Sequence, residues 1–403
     1  MKNMNISKIL AFLLSVTAAL TACNLPAATE NSADNITENI AENGTETLSP
    51  TVKLPGEMRD ITSMELTSEM TIGWNLGNCL DVCIADRDGD GTVNETPENG
   101  AVDETLWGNA KATPELFDIM KSEGVNAVRI PVTWRDHLGE APDYKIDEEW
   151  LDRVNEVVDY AISRDMYAII NIHHDGGDDA KFGAWVRNAA KDYDGFNEKY
   201  TALWEQICER FKDYPDKLIF ESANEIGFDN LSKNEAYALL NKINSRFVEI
   251  VRDSGGNNDR RHLLIAGYWT DIAETCDSRF VLPDDPAGRL IVSVHYYTPW
   301  QFCITGDIKT WGSEGDIAEL ENKMALLKRN FIDKGIPVLI GEYGFAGTTS
   351  PQSQIKFSAA VTKTCHEMGI PCFLWDDGGI INRESFLWRN PDLMAGIRKS
   401  IEE

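Results

Sequence analysis

Two glutamates, Glu225 and Glu342, each follow closely on a short apolar run, Leu218–Glu221 and Val338–Gly341. Comparable runs elsewhere end in or carry Asn75, Arg129, His173-His174-Asp175, His295-Tyr296-Tyr297 and Trp375-Asp376-Asp377. Breaking a glycosidic bond needs one carboxylic acid to protonate the leaving oxygen. It also needs a second carboxylate on the other face of the sugar, acting directly or through water. A lone glutamate at a strand end reads as a salt bridge. Two of them, among Asn, His, Tyr, Arg and Trp side chains that can bond or stack on a sugar, read as a site.

Those side chains need elements to bring them together. The apolar runs are Thr71–Trp74, Ala127–Val132, Tyr167–Ile172, Leu218–Glu221, Leu263–Tyr268, Leu290–Val294, Val338–Gly341 and Cys372–Trp375. Several are unbroken aliphatic or β-branched stretches, as expected of strands buried on both faces of a parallel sheet. Amphipathic segments separate them: one opening at Thr113-Pro114-Glu115 with an N-cap residue and Pro in the first turn, then Asp147–Arg164, Phe196–Lys212, Asn234–Arg252, Ile317–Lys334 and Gln352–Met368. Only between the fifth and sixth runs is no long helix evident. Eight buried strands alternating with helices predict an α/β protein, a (β/α)8 TIM barrel forming a single catalytic domain. Such a barrel puts its chemistry at the C-terminal strand ends, where the polar residues above fall.

The motifs Trp74-Asn75-Leu76-Gly77-Asn78, Val128-Arg129-Ile130-Pro131, Asn171-Ile172-His173-His174, Ala223-Asn224-Glu225, Val294-His295-Tyr296-Tyr297 and Ile340-Gly341-Glu342-Tyr343 together resemble glycoside hydrolase family 5. The resemblance runs in order from about Ile72 to Asp377. The stretch from His295 to Cys303 resembles the subgroup of bacterial endoglucanases and xyloglucanases. It implies Glu225 as acid/base, Glu342 as nucleophile, and retention of configuration, for which the carboxyls should stand about 5–5.5 Å apart. It further implies that Arg129 and Tyr297 hold the nucleophile, that Asn224 meets the sugar 2-hydroxyl, and that His173 and His295 complete the floor. Ionised Glu342 is expected to raise the pKa of Glu225. Trp375 is expected to be a stacking platform, Asn75 a sugar contact one subsite away, and His174 either a substrate contact or a supporting residue. Trp74, Trp134, Trp269, Trp300 and Trp388 extend the cleft or, for the most part, fill the core.

The implied reaction is hydrolysis of internal β-1,4-glucan bonds, in cellulose-type, mixed-linkage or xyloglucan chains. Mannan and xylan stay open as alternatives, because the shared residues serve chemistry and not side-chain recognition. A non-catalytic surface glycan-binding protein is the rival of another class, and it would be expected to have lost the carboxylates. Catalysis should need no cofactor. A formal charge of −28 with no basic stripe excludes nucleic acid and suits a neutral polysaccharide.

The remaining features concern export and stability. Residues 1–22 read as a signal peptide, with Lys2 and Lys8 ahead of an apolar run from Ile9 to Leu20 that is too short to span a membrane. Leu20-Thr21-Ala22-Cys23 resembles a bacterial lipobox, which implies a cell-surface lipoprotein held at the membrane only by lipid on Cys23; plain secretion is the alternative. Residues 23–55, rich in Asn, Thr, Glu, Ala and Pro, read as a flexible tether, leaving 56–403 for the barrel. Asp86, Asp88 and Asp90 with Gly91 at position six resemble an EF-hand calcium loop, but Pro97 stands where a bidentate Glu belongs. Structural Ca2+ and a solvated acidic loop are both open readings. Of eight cysteines, Cys79 with Cys83 and Cys365 with Cys372 are close in sequence, without spacing that fixes a pairing.

Overall fold

The computed structural model describes residues 57–86, 97, 102–176 and 183–402. The signal peptide, the tether and Asp88 and Asp90 of the acidic loop lie outside the described residues.

Eight parallel strands close into a barrel in sequence order: β1 (Gly73–Leu76), β2 (Ala127–Ile130), β3 (Tyr167–Ile170), β4 (Leu218–Glu221), β5 (Leu263–Ala266), β6 (Leu290–Tyr296), β7 (Val338–Tyr343) and β8 (Cys372–Asp376). Nearly every strand residue is buried, which is why these stretches read as continuous apolar runs. Before β1 comes α1 (Ser63–Ser68). Around the barrel run α2 (Pro114–Ser122), α3 (Glu148–Ile162), α4 (Tyr193–Phe211), α5 (Lys233–Asp253), α6 (Ile272–Thr275), α7 (Trp300–Cys303), α8 (Glu314–Asn330), α9 (Pro351–Glu367) and α10 (Leu393–Glu402). The β5–β6 connection carries only the four-residue α6, as its lack of helical periodicity implied. Three further helices not anticipated from sequence, α1, α7 and α10, are short.

Local chemistry sets the helix starts. Asp147 caps α3 at the amide of Glu149, and Ser232 and Ser313 form capping boxes with Glu235 and Asp316. Thr113 occupies the N-cap of α2, but its hydroxyl makes no cap bond, so Pro114 in the first turn defines that start.

The barrel interior is layered by the two-residue period of its strands. Ala127, Tyr167, Ile169, Ile219, Leu264, Ile291, Leu339 and Phe373 form one apolar cluster, closed from below by Leu66 and Met70. Two positions on, the same strand faces present Arg129, Asn171, Glu221, Ser293 and Trp375. The inside of the barrel thus turns from oil to polar network within one strand step. A second, larger core fills the space between strands and helices. All seven cysteines among the described residues are free thiols, and six of them are buried, so neither candidate pair forms a disulfide.

Candidate active site

Arg129 is fully buried at the centre of the polar layer. Its Nε donates to Glu221 Oε2 at 2.7 Å and its Nη1 to Glu342 Oε1 at 2.8 Å and Asn75 Oδ1 at 3.1 Å. Nη2 donates to Asn224 Oδ1 at 2.9 Å. One planar guanidinium therefore fixes two carboxylates and two amides, a task its rigid fork suits better than an ammonium. Because Arg129 takes the Asn224 oxygen, the Asn224 amide nitrogen is left to point elsewhere as a donor.

Asn75 corrects one expectation. It is completely buried, donating through Nδ2 to Gly341 O at 2.9 Å and Phe373 O at 3.2 Å. Every polar atom it has is committed to protein, so it braces β1 against β7 and β8 and touches no sugar.

Glu342 reaches the barrel mouth through a break in strand alternation. Along β7, Leu339 and Gly341 share the inward face, which would send Glu342 outward. The register with β6 slips at Val294/His295, pairing Val294 with Ile340 but His295 with Glu342. This bulge at Gly341 turns Glu342 inward while Tyr343 packs outside against Phe357. Space there is tight: a Cβ at Gly341 would sit 3.1 Å from both His295 Nε2 and Ser293 Oγ, and both would have to shift to admit one.

Glu225 follows β4 in a loop whose Asn224 amide donates to Ile172 O at 2.9 Å. His295 Nδ1 lies 2.9 Å from Glu225 Oε1 and 3.6 Å from Glu342 Oε2. One oxygen of Glu225, one oxygen of Glu342 and a His295 ring nitrogen all lie within 4.8 Å of one another, a close approach of the kind a retaining pair needs.

The two carboxyls sit in different surroundings. Burial pushes Glu225 up to about 7; the Arg129 charge opposes this and the Glu221 charge adds to it. Loss of water comes first, with the Glu221 charge beneath as a contributor, and the two catalytic carboxyls also repel one another. Burial also raises Glu342, against the pull of His295 and Arg129 and with the Glu225 charge adding to the rise. Its two oxygens receive Arg129 and, at 3.0 Å, the Tyr297 hydroxyl. Tyr297 is itself raised well above its ordinary range by burial and the Glu342 charge, so it stays a protonated donor. Of the pair, Glu342 is the one equipped to carry the negative charge.

Both floor histidines are neutral at neutral pH. Burial holds His295 down at about 4 and His173 well below its usual value. The His173 tautomer follows from its neighbours. Val132 N donates to Asn171 Oδ1 at 3.1 Å, so Asn171 Nδ2 faces Glu221 at 3.0 Å and His173 Nδ1 at 3.3 Å. Nδ1 must accept, which leaves the proton on Nε2. His174 is half-buried, with Nε2 3.8 Å from Asp81 Oδ2 and its ring tilted against Trp107. Trp375, partly exposed, lies parallel to His173 with ring centroids 5.7 Å apart. Trp74 and Trp134 belong to the core, and Trp269, Trp300 and Trp388 are half-buried.

Sequence reasoning missed Glu221 and Ser293, whose hydroxyl donates to Glu221 Oε1 at 2.7 Å. The signal was present: both stand one strand step above an apolar inward residue, where a charge or hydroxyl must have partners.

Residues 86–379 match the family model for cellulase (glycosyl hydrolase family 5). Endoglucanase A of Ruminococcus albus is 37% identical over 354 residues, spanning 83% of this chain and 91% of that one. A xyloglucan-specific endo-β-1,4-glucanase of Bacteroides ovatus is 33% identical over 352 residues, spanning 80% of this chain and 66% of the relative. Among solved structures, a broad-specificity endoglucanase of Ruminococcus champanellensis with bound cellotriose superposes with a TM-score of 0.76 at 34% identity, covering 85% of this chain and 99% of that one.

Proposed function

The chain belongs to glycoside hydrolase family 5, and on that premise we propose that it is a retaining endo-β-1,4-glucanase with Glu342 as nucleophile and Glu225 as acid/base. The observation that carries the reading is the close carboxyl pair in unlike surroundings, one raised to about 7 and the other held by Arg129 and Tyr297.

Glu342 attacks the anomeric carbon while protonated Glu225 gives its proton to the departing oxygen. As the glycosyl ester forms, Glu342 loses its charge, Glu225 is left as carboxylate, and it then takes a proton from the attacking water. Neutral His295, with its proton on the Nδ1 that faces both carboxyls, donates to Glu225 Oε1 in either state and leaves the other Glu225 oxygen to hold the transferred proton. The free Asn224 amide and the His173 Nε2–H supply donors for hydroxyls of the sugar being cleaved, a contact worth most in the transition state. Trp375 offers its indole to the apolar face of that chain.

Cellulose-type, mixed-linkage and xyloglucan chains are the proposed substrates. The test is reducing-sugar release from xyloglucan, carboxymethylcellulose, mixed-linkage β-glucan, mannan and xylan side by side. Release from one or more β-glucans is expected. Activity confined to mannan or xylan would keep the mechanism and replace the substrate, and silence on all five from folded, glycan-binding protein would overturn the catalytic reading.

The proposal extends to the cell surface, with lipid on Cys23 as anchor and plain secretion as the alternative; an unacylated mature terminus by mass spectrometry removes the anchor. For the loop bearing Asp86, Asp88 and Asp90, structural Ca2+ and a solvated acidic loop are both carried forward. A bound ion should raise the melting temperature by a margin that chelator abolishes, and a melt unchanged by chelator leaves the solvated loop.

A further inference from the structure

Trp375 owes its position to contacts on two sides. Its ring lies on Gly77, just after β1, so closely that a Cβ there would fall 2.5 Å from Cζ2 and 2.7 Å from Cε2. Its backbone continues into Asp376, whose carbonyl accepts from Gly77 N at 3.0 Å. The bed of the platform and the strand end that carries it are therefore one joint between β1 and β8.

Two side chains hold that joint: Asn109 Nδ2 donates to Asn78 O and to Asp377 O, both at 2.9 Å, at its partly exposed rim, and an arginine holds it from within. Arg383, on the segment between β8 and α10, is 3% exposed. It donates from Nη1 to Asn78 O at 3.2 Å and from Nη2 to Asp376 O at 2.7 Å and to Gly77 O. Three main-chain carbonyls from the two loops flanking the indole converge on one guanidinium. Among the described residues Arg383 makes no ion pair with a carboxylate. The nearby Asp376 carboxylate is occupied instead by the amides of Gly378 and Ile380 and by Trp74 Nε1. The Arg383 charge also favours the ionised forms of the buried Asp376 and Asp81, but its hydrogen bonds go to the three carbonyls, and it is these bonds that fix the main chain. Asn78, at φ +50°, sits in the left-handed region that such a convergence demands.

We infer that Arg383 is a positioning residue for the sugar platform: it sets the orientation of Trp375 by clamping the main chain on both sides of the indole. The inference rests on Trp375 being the platform, as proposed above. A flexible ammonium cannot span three carbonyls in one plane, so lysine should restore the function only in part.

The experiment is a double-mutant cycle of Arg383→Met and Trp375→Ala, read as kcat and KM on the preferred β-glucan and as cello-oligosaccharide affinity. Arg383→Met alone should lower kcat/KM by roughly tenfold or more, as expected for charge-assisted hydrogen bonds lost from a positioned group. Added to Trp375→Ala, it should cost less than about twofold, because the group it positions is already gone. Arg383→Lys should fall between wild type and Arg383→Met.

Equal losses in the two backgrounds would overturn the inference and leave Arg383 a residue of general stability. Should Arg383→Met not fold, judged by loss of cooperative thermal unfolding, Arg383→Lys takes its place in the same cycle with the same opposed outcomes. Wild-type protein that binds cello-oligosaccharide without cleaving it would sink the catalytic proposal while leaving the affinity cycle to decide on Arg383. Trp375→Ala that changes neither turnover nor affinity would remove the platform and this inference with it.

Discussion

Glu342→Gln is expected to cut turnover of β-glucan by ~10⁴–10⁶-fold, the scale on which an enzyme loses its nucleophile, while leaving glycan affinity within a few-fold of wild type. Glutamine keeps the shape and can still meet Arg129 and Tyr297, so the pocket survives and only the attacking charge is lost. Glutamine is not the sharpest test, because loss of activity alone does not say what the carboxylate did. Glu342→Ala opens space on the face from which Glu342 attacks. A small anion such as azide entering there should displace the leaving group once, without a covalent intermediate. The product would be the α-configured glycosyl azide, inverted relative to the β-linked substrate. Arg129 has a second carboxylate in Glu221, so removing Glu342 does not strand a buried cation and the variant should fold. A β-configured azide from Glu342→Ala, or turnover near the wild-type level in either variant, would assign the nucleophile elsewhere.

Much of this site was legible in the sequence because a parallel barrel writes plainly. Strands buried on both faces appear as unbroken apolar runs, and the residue ending each run lies at the mouth. That reasoning brought Arg129, His173, Asn224, Glu225, His295, Tyr297, Glu342 and Trp375 to one place. It failed where position depends on depth or register. Asn75 ends the first run as a sugar contact would, yet it is wholly buried and spends all its hydrogen bonds on protein. Glu221 was passed over as the last residue of an apolar run, although it is the carboxylate beneath Arg129 and a cause of the raised Glu225.

Glu342 is the instructive success. Strict alternation along β7 points it outward, and only the Gly341 bulge turns it in. The motif Gly341-Glu342 carried that information by resemblance, whereas periodicity alone would have lost it. Arg383 left no trace in either kind of reading, since nothing in its local sequence says that its guanidinium reaches back to Gly77 and Asn78.

Glu225→Ala should behave differently from any change at Glu342, because an acid is needed only when the leaving group needs a proton. On unactivated glucan the loss should be ~10²–10⁴-fold, the usual worth of a positioned general acid. On an aryl glycoside with a dinitrophenyl leaving group the first step should be nearly untouched. The second step still lacks its base, so the glycosyl-enzyme on Glu342 should accumulate after a burst. Azide should then release it with retained β configuration, the opposite outcome to that from Glu342→Ala. The pH profile follows from the same group. Glu225 acts in its protonated form, and burial holds its pKa at about 7, above the ordinary carboxyl range. Wild-type kcat/KM should therefore hold up through mildly acidic pH and fall as pH rises through about 7, when the proton is lost. With the activated substrate, Glu225→Ala should show no such alkaline fall. A fall that persists in the variant, or an equal loss of rate across good and poor leaving groups, would mean that another residue supplies the proton and that Glu225 serves only to shape the site.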